Sequence, residues 1–167
     1  MSKYLKRLFN ILSWPVYVCI AAYLLIAAPL VAGYRPVVVL SGSMEPTYHV
    51  GSIIYYKSAS FEQIAKGDAI TYQVGTDGEL VTHRVVEKQE ISQEFVTKGD
   101  ANETPDPLPV SYRNVVGRAA KWTIPYAGYF VSFGKTPAVI GVMVAILVIG
   151  IILDNVTADG KKNGDDQ

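Results

Sequence analysis

Hydrophobic positions in this chain run together at its two ends and alternate with polar ones in between. Residues 11–33 (ILSWPVYVCIAAYLLIAAPLVAG) form 23 consecutive positions without a charge. About 20 apolar residues carry a helix across a bilayer core, so the run predicts a transmembrane helix over 11–33. Pro15 and Pro29 are tolerable near the ends of such a helix. A second uncharged run, Pro137–Leu153 (PAVIGVMVAILVIGIIL), has 17 residues and predicts another span at the short end of the range. No polar face interrupts it, unlike an amphipathic core helix. Trp122, Tyr126, Tyr129, Phe130 and Phe133 crowd ahead of it, as aromatic residues do where a chain meets a membrane interface.

Between the runs the pattern changes to short β-branched and aromatic stretches. Strands are predicted at Arg35–Leu40, Ser52–Lys57, Asp68–Val74, Leu80–Glu87, Ile91–Lys98 and Asn114–Ala120, with Gly and Asp marking several of the breaks. The clearest breaks are Lys66-Gly67-Asp68, the Gly75–Gly78 turn and Lys98-Gly99-Asp100. Phe61–Ala65 is long enough only for a helical turn. No internal repeat is visible.

Charge orients this plan. Lys3, Lys6 and Arg7 precede the first run with no acidic residue, which puts the N-terminus in the cytoplasm by the positive-inside rule. A cleaved signal peptide has an apolar region of about 7–15 residues; this run is longer, so an uncleaved anchor is expected. The expected organisation is a basic cytoplasmic leader over 1–10, a transmembrane helix over 11–33, an outer domain over 34–136, a second transmembrane helix over 137–153, and a polar, disordered cytoplasmic tail over 154–167. The outer domain carries 10 basic and 11 acidic residues and reads as one near-neutral soluble domain. The fold class expected is mainly β: a compact extracytoplasmic β-sheet domain flanked by two transmembrane helices.

Composition narrows the chemistry. The 167 residues include 15 basic and 15 acidic side chains, two His and one Cys. A net charge of zero argues against nucleic acid as a partner. One Cys excludes an intramolecular disulfide framework and a Cys-built zinc site, and two His make a His-rich metal centre unexpected. No metal or other cofactor is expected. Cys19 lies in the first apolar run and reads as a packing residue.

With two histidines, a hydrolytic Ser/His site can be sought by inspection. His83 sits in Leu80-Val81-Thr82-His83-Arg84-Val85-Val86, where alternation puts Val81, His83 and Val85 on one strand face. That imidazole is either a half-buried packing residue or a catalytic base. His49, in Tyr48-His49-Val50-Gly51, reads as an exposed or packing residue of a turn. Among the serines, Ser41 and Ser43 stand where the apolar Val37-Val38-Val39-Leu40 runs into Ser41-Gly42-Ser43-Met44-Glu45-Pro46-Thr47. Gly42 permits a sharp turn and Pro46 stiffens its exit. An exposed hydroxyl on a rigid turn beside free N–H groups is what a nucleophile and its oxyanion need.

Ser-Gly-Ser-Met-Glu-Pro-Thr, the Thr82-His83-Arg84-Val85-Val86 strand and Thr97-Lys98-Gly99-Asp100-Ala101-Asn102 follow one another after an N-terminal apolar run. In that order they resemble type I signal peptidases across the outer domain and the first span. Those with Lys where His83 stands form the bacterial housekeeping branch. His83 makes the chain similar to the endoplasmic-reticulum and archaeal branch, which some Gram-positive bacteria also carry. The resemblance implies a signal-peptidase-like β fold, with Ser43 as nucleophile and His83 as general base. It implies an oxyanion site made by the Ser43 N–H and the Ser41 hydroxyl. It also implies an acidic partner for His83 within Gly99–Asp106, with Asp106 as triad acid and Asp100 as a supporting residue. Val37, Val38, Val39 and Leu40 would line the groove in which the substrate adds as a strand.

The implied activity is removal of signal peptides from secretory preproteins at the outer or lumenal membrane face, without a metal. The lipid bilayer and the secretion translocon are the further expected partners. The expected location is the cell membrane of a bacterium or archaeon, or the endoplasmic-reticulum membrane of a eukaryote. Ser43 follows the first run by ten residues, at most about 35 Å of extended chain, which keeps it near the membrane surface. Two other readings are a non-catalytic membrane-tethered β-domain that binds a partner and a peptidase dedicated to a few secreted matrix-type substrates. Asn102-Glu103-Thr104 fits a glycosylation acceptor, with Pro105 directly after it. Gly134-Lys135-Thr136 resembles the end of a phosphate-binding loop, but Gly128 stands one residue too far upstream.

Overall fold

A computed structural model of the chain describes residues 3–75 and 77–162. It divides into a helical unit of Met1–Ile26 and Val131–Gln167 and a β unit of Ala27–Phe130.

The β unit is one seven-stranded antiparallel sheet: β1 (Arg35–Val38), β2 (Ile53–Lys57), β3 (Ala69–Val74), β4 (Glu79–Gln89), β5 (Glu94–Lys98), β6 (Val110–Ser111) and β7 (Val115–Ile124), in the spatial order β1-β2-β7-β3-β4-β5-β6. All six predicted strands are present with shifted ends. β5 begins at Glu94 rather than Ile91, because the reversal after β4 passes through Gln93 at φ 52° and leaves Ile91 fully exposed. β7 extends beyond Ala120 to Ile124, where Ile124 pairs with Ile53 and Trp122 stacks on Tyr55 at 4.6 Å. β6 is not predicted: two residues after a proline-rich stretch are too short to display a period of two. The β3–β4 turn falls where expected, with Gly75 and Gly78 at φ 67° and 74°, values that suit residues without a Cβ. Phe61–Ala65 contains a single 3₁₀ turn, Phe61–Gln63, closed by a Ser60–Gln63 capping box.

Two apolar clusters hold the sheet. Phe61, Ile64, Ile70, Tyr72, Val85, Phe95 and Val110 form one. Met44, Tyr48, Ile54, Ala69 and Ala119 form the other. The second cluster fixes the loop after β1. Val39 continues the pairing beyond the strand, its N–H and C=O bonded to Ser52 O and Gly51 N–H at 2.9 Å each. Met44 and Tyr48 then bury their side chains, and the Tyr48 hydroxyl donates to Ala120 O at 2.8 Å. A loop pinned at both ends and twice in its middle holds its side chains in place.

In the helical unit, α1 spans Lys3–Ala27. Residues 3–10 of the expected leader are therefore helical, since nothing in Lys-Tyr-Leu-Lys-Arg-Leu-Phe breaks a helix. A 3₁₀ turn, Ala28–Ala32, follows the helix and ends at Gly33 with φ 83°. Pro29, in the second position of that turn, marks where the α geometry stops. The Ser13–Ala32 segment has a mean hydropathy of 2.2 and leaves Trp14, Leu24 and Leu25 exposed. Helix α2 (Ala127–Gly134) is not predicted, and α3 (Pro137–Lys162) carries the second apolar run. Among the described residues only Ser13–Ala32 is by itself apolar and long enough to cross a bilayer; α2 and α3 meet that test as a pair bent by 77°. α3 continues to Lys162, so residues 154–162 of the expected disordered tail are helical. Extending an established helix adds one backbone bond per residue ordered, which polar residues tolerate. Residues 163–167 lie outside the described residues.

Candidate active site

Three elements of the β unit converge on one line of side chains. The loop after β1 supplies Ser43, the middle of β4 supplies His83, and the loop after β5 supplies Asp106. Ser43 Oγ lies 3.1 Å from His83 Nε2, and His83 Nδ1 lies 2.6 Å from Asp106 Oδ2. With the carboxylate ionised, Nδ1 carries the ring proton and donates it to Asp106. Nε2 then accepts from the Ser43 hydroxyl. The side chains of His83 and Asp106 are 12% and 17% exposed, so both partners are largely screened from water. On either side of His83 along the strand, Val85 is buried and Val81 packs against the first core cluster, which fixes the ring where alternation puts it.

Asp106 is itself held. Its N–H donates to Thr97 O at 2.8 Å. Its Oδ2 accepts from the Thr97 hydroxyl at 2.6 Å and from the Tyr72 hydroxyl at 3.4 Å. Thr97 is fully buried and Tyr72 nearly so. Burial pushes the Tyr72 phenol above its ordinary value, so it remains a donor. Neither residue is among the sequence-predicted site residues. Thr97 stood within the Thr97–Asn102 motif, but its role needs the β4–β5 register to become visible.

Asp100 lies elsewhere. Its carboxylate accepts from Arg84 Nε and Nη2 at 2.7 and 2.6 Å and from the Thr47 hydroxyl at 2.5 Å, with no hydrogen bond to His83. The Arg84 bonds hold the Asp100 carboxyl below its ordinary range, and the same bonds raise Arg84. Arg84 Nη1 also donates to Gly67 O at 2.8 Å. The network ties the Ser43 loop to β4 one residue beyond His83. A carboxyl depressed in the folded state stabilises the fold above its unfolded pKa, and the effect is lost as pH falls through the folded value. Asp100→Asn is therefore expected to be less stable than the parent by on the order of 1 kcal/mol at pH 6. The gap should close as pH falls through the depressed Asp100 value, below the ordinary carboxylate range; thermal melts across pH measure it.

The Ser43 turn rests on Gly99. A Cβ built there would stand 2.5 Å from the Ser43 carbonyl oxygen, and Ala101 N–H donates to that same oxygen at 2.9 Å. The obstructing atom is backbone, so Gly99→Ala must displace the turn. A shift approaching 1 Å costs about 10²-fold in rate. We expect that loss in kcat, with far-UV circular dichroism unchanged. Ser41 Oγ is 3.5 Å from Ser43 Oγ, and no hydrogen bond engages the Ser43 N–H among the described residues. Both are available to a developing oxyanion.

Val37, Val38, Val39 and Leu40 line a cleft of about 290 Å³ that reaches Ser43 and is also lined by Leu80, Val81 and Thr82. β1 is an edge strand. Val39 bonds inward, so alternation turns the backbone of Pro36, Val38 and Leu40 to the free edge. Pro36, which has no N–H to offer, suits that position. His49 stands apart, paired with Glu45 at 2.5 Å and exposed.

No family model matches the chain. Over 100 residues it is 41% identical to signal peptidase I W of Bacillus subtilis, covering 58% of this chain and 52% of that protein. Over 102 residues it is 35% identical to the signal peptidase complex catalytic subunit SEC11C of Homo sapiens, covering 55% of this chain and 53% of that one. The putative catalytic subunit SEC11B of Homo sapiens is 33% identical over 103 residues, 56% of this chain and 61% of the relative. These relatives are signal peptidases, the proteins that the three motifs resemble. The chain spans about half the length of the first two.

Proposed function

We propose that the chain is a membrane-anchored serine endopeptidase that cleaves signal peptides from exported preproteins. The observation that carries this reading is the hydrogen-bonded line from Ser43 through His83 to Asp106, in a chain whose relatives are named signal peptidases. His83 Nε2 takes the proton as the Ser43 hydroxyl attacks the scissile carbonyl, and returns it to the leaving amine. The Ser43 N–H and the Ser41 hydroxyl stabilise the oxyanion. Water then releases the acyl group by the same steps. Asp106 holds the ring and its positive charge, while Asp100 supports the nucleophile loop through Arg84 and Thr47.

The substrate pairs along the free edge of β1, so main-chain bonds supply affinity and the apolar cleft admits small side chains. The Ser13–Ala32 segment anchors the β unit in the bilayer, with Pro137–Leu153 as the second span. The expected membrane face is extracytoplasmic. The test is cleavage of a preprotein by the full chain in liposomes, with the cut located by mass spectrometry. Cleavage after a small residue that fails when the −1 alanine is replaced by phenylalanine supports the reading. An intact preprotein, with the chain folded, refutes it and favours a binding domain. Because only a neutral imidazole accepts a proton, the rate should fall on the acid side; a rate that holds in acid for as long as the chain stays folded would remove His83 from the role.

A further inference from the structure

We propose that the β unit carries a binding groove for anionic phospholipid headgroups, separate from the cleft at Ser43. This inference rests on the membrane-anchored reading above. The groove, about 1,080 Å³, is lined by cations and aromatic rings, among them Tyr34, Lys57, Arg118, Lys121 and Trp122. Arg118 is engaged with Gln63 O and Asp68, and Arg84 at the far wall with Asp100. Lys57 and Lys121 have no carboxylate within ion-pair distance among the described residues. Asp68 is the other charged group of the groove, and Arg118 balances it. Two cations are left over, more than enough to neutralise the single charge of a phosphodiester headgroup.

Position selects the source of that phosphate. Gly33 and Tyr34 directly follow the apolar Ser13–Ala32 segment, so the Tyr34 backbone lies within about 8 Å of its end. Lys57 is on the same spot: its Cε would be 3.6 Å from a Cβ on Gly33, and its Nζ stands 5.5 Å from the Tyr34 ring centre. Trp122 packs edge-on against Tyr34 at 6.0 Å and is 43% exposed. Leu30 and Val31, just ahead, are exposed as well. Aromatic rings and a lysine gathered at the end of an apolar segment are the residue types found where a chain meets the headgroups. Each Lys near an anionic surface favours it by about fivefold.

The test uses fluorescence of the full chain in liposomes. Trp14→Phe leaves Trp122 as the reporter, and brominated phosphatidylglycerol is compared with brominated phosphatidylcholine as quencher. We expect phosphatidylglycerol to be preferred at Trp122 by at least about fivefold. Lys57→Gln with Lys121→Gln should reduce the preference to about one, and Lys57→Arg with Lys121→Arg should restore it. Equal quenching by the two lipids in the parent overturns the proposal, as does a preference that survives the glutamine pair. Trp122 unquenched by either lipid also overturns it and assigns the groove to an acidic polypeptide. The reverse variant, Trp122→Phe, reads Trp14 in α1. Quenching there by both lipids keeps the membrane reading whatever Trp122 does, and no quenching at Trp14 overturns the membrane reading and the groove together.

Discussion

Ser43→Ala and His83→Ala are each expected to lower kcat for preprotein cleavage by roughly 10⁵–10⁶-fold, and the double variant is expected to lose no more than either alone. The reason is that the two side chains perform one act. Ser43 Oγ and His83 Nε2 are 3.1 Å apart; without the base the hydroxyl stays protonated, and without the hydroxyl the base has nothing to activate. What remains in each variant is binding along β1 and any oxyanion contact from the Ser43 N–H. Those are common to both, so both should fall to the same floor of about 10³-fold over water. KM should move little, because neither side chain holds the substrate strand. Single-turnover cleavage in liposomes reads the floor. Additive losses would mean that the two act in different steps, and residual full activity in Ser43→Ala would require another nucleophile.

Much of this arrangement is legible in the sequence because its parts are local. The period-two pattern around His83 places that side chain between Val81 and Val85, and the structure keeps it there. The Gly75–Gly78 turn and the Ser-Gly-Ser turn are set by residues whose conformational freedom is known in advance. Parts that depend on register are hidden. Asp100 and Asp106 stand six residues apart in one loop, and nothing local decides which faces His83. The choice follows from the pairing of Arg84 with Lys98 and Val85 with Thr97 across β4 and β5. That pairing sets Thr97 beside the His83 face and leaves Arg84 to capture Asp100. Tyr72 enters through a third strand, opposite Val81. Helix α2 is hidden for a different reason: its aromatic residues satisfy an interface pattern and a helix equally well.

Asp106→Ala should lower kcat by about 10⁴-fold, whereas Asp100→Asn should stay within tenfold of the parent. Of the two carboxylates Asp106 is the one that contacts the ring, at 2.6 Å, so it is the one placed to hold the tautomer and balance the imidazolium formed during attack. Asp106→Asn should fall between them. The Thr97 and Tyr72 hydroxyls both donate to the inner oxygen of residue 106, and they will turn the amide carbonyl toward Nδ1. Geometry is then kept and only charge is lost. Thr97→Val removes the 2.6 Å donor and should cost about tenfold, with Thr97→Ser restoring the rate. Rescue separates a donor from simple damage: Thr97→Ser keeps the hydroxyl that donates to Asp106 Oδ2, and Thr97→Val keeps only the shape. A Thr97→Ser variant as slow as Thr97→Val would reduce Thr97 to a packing residue.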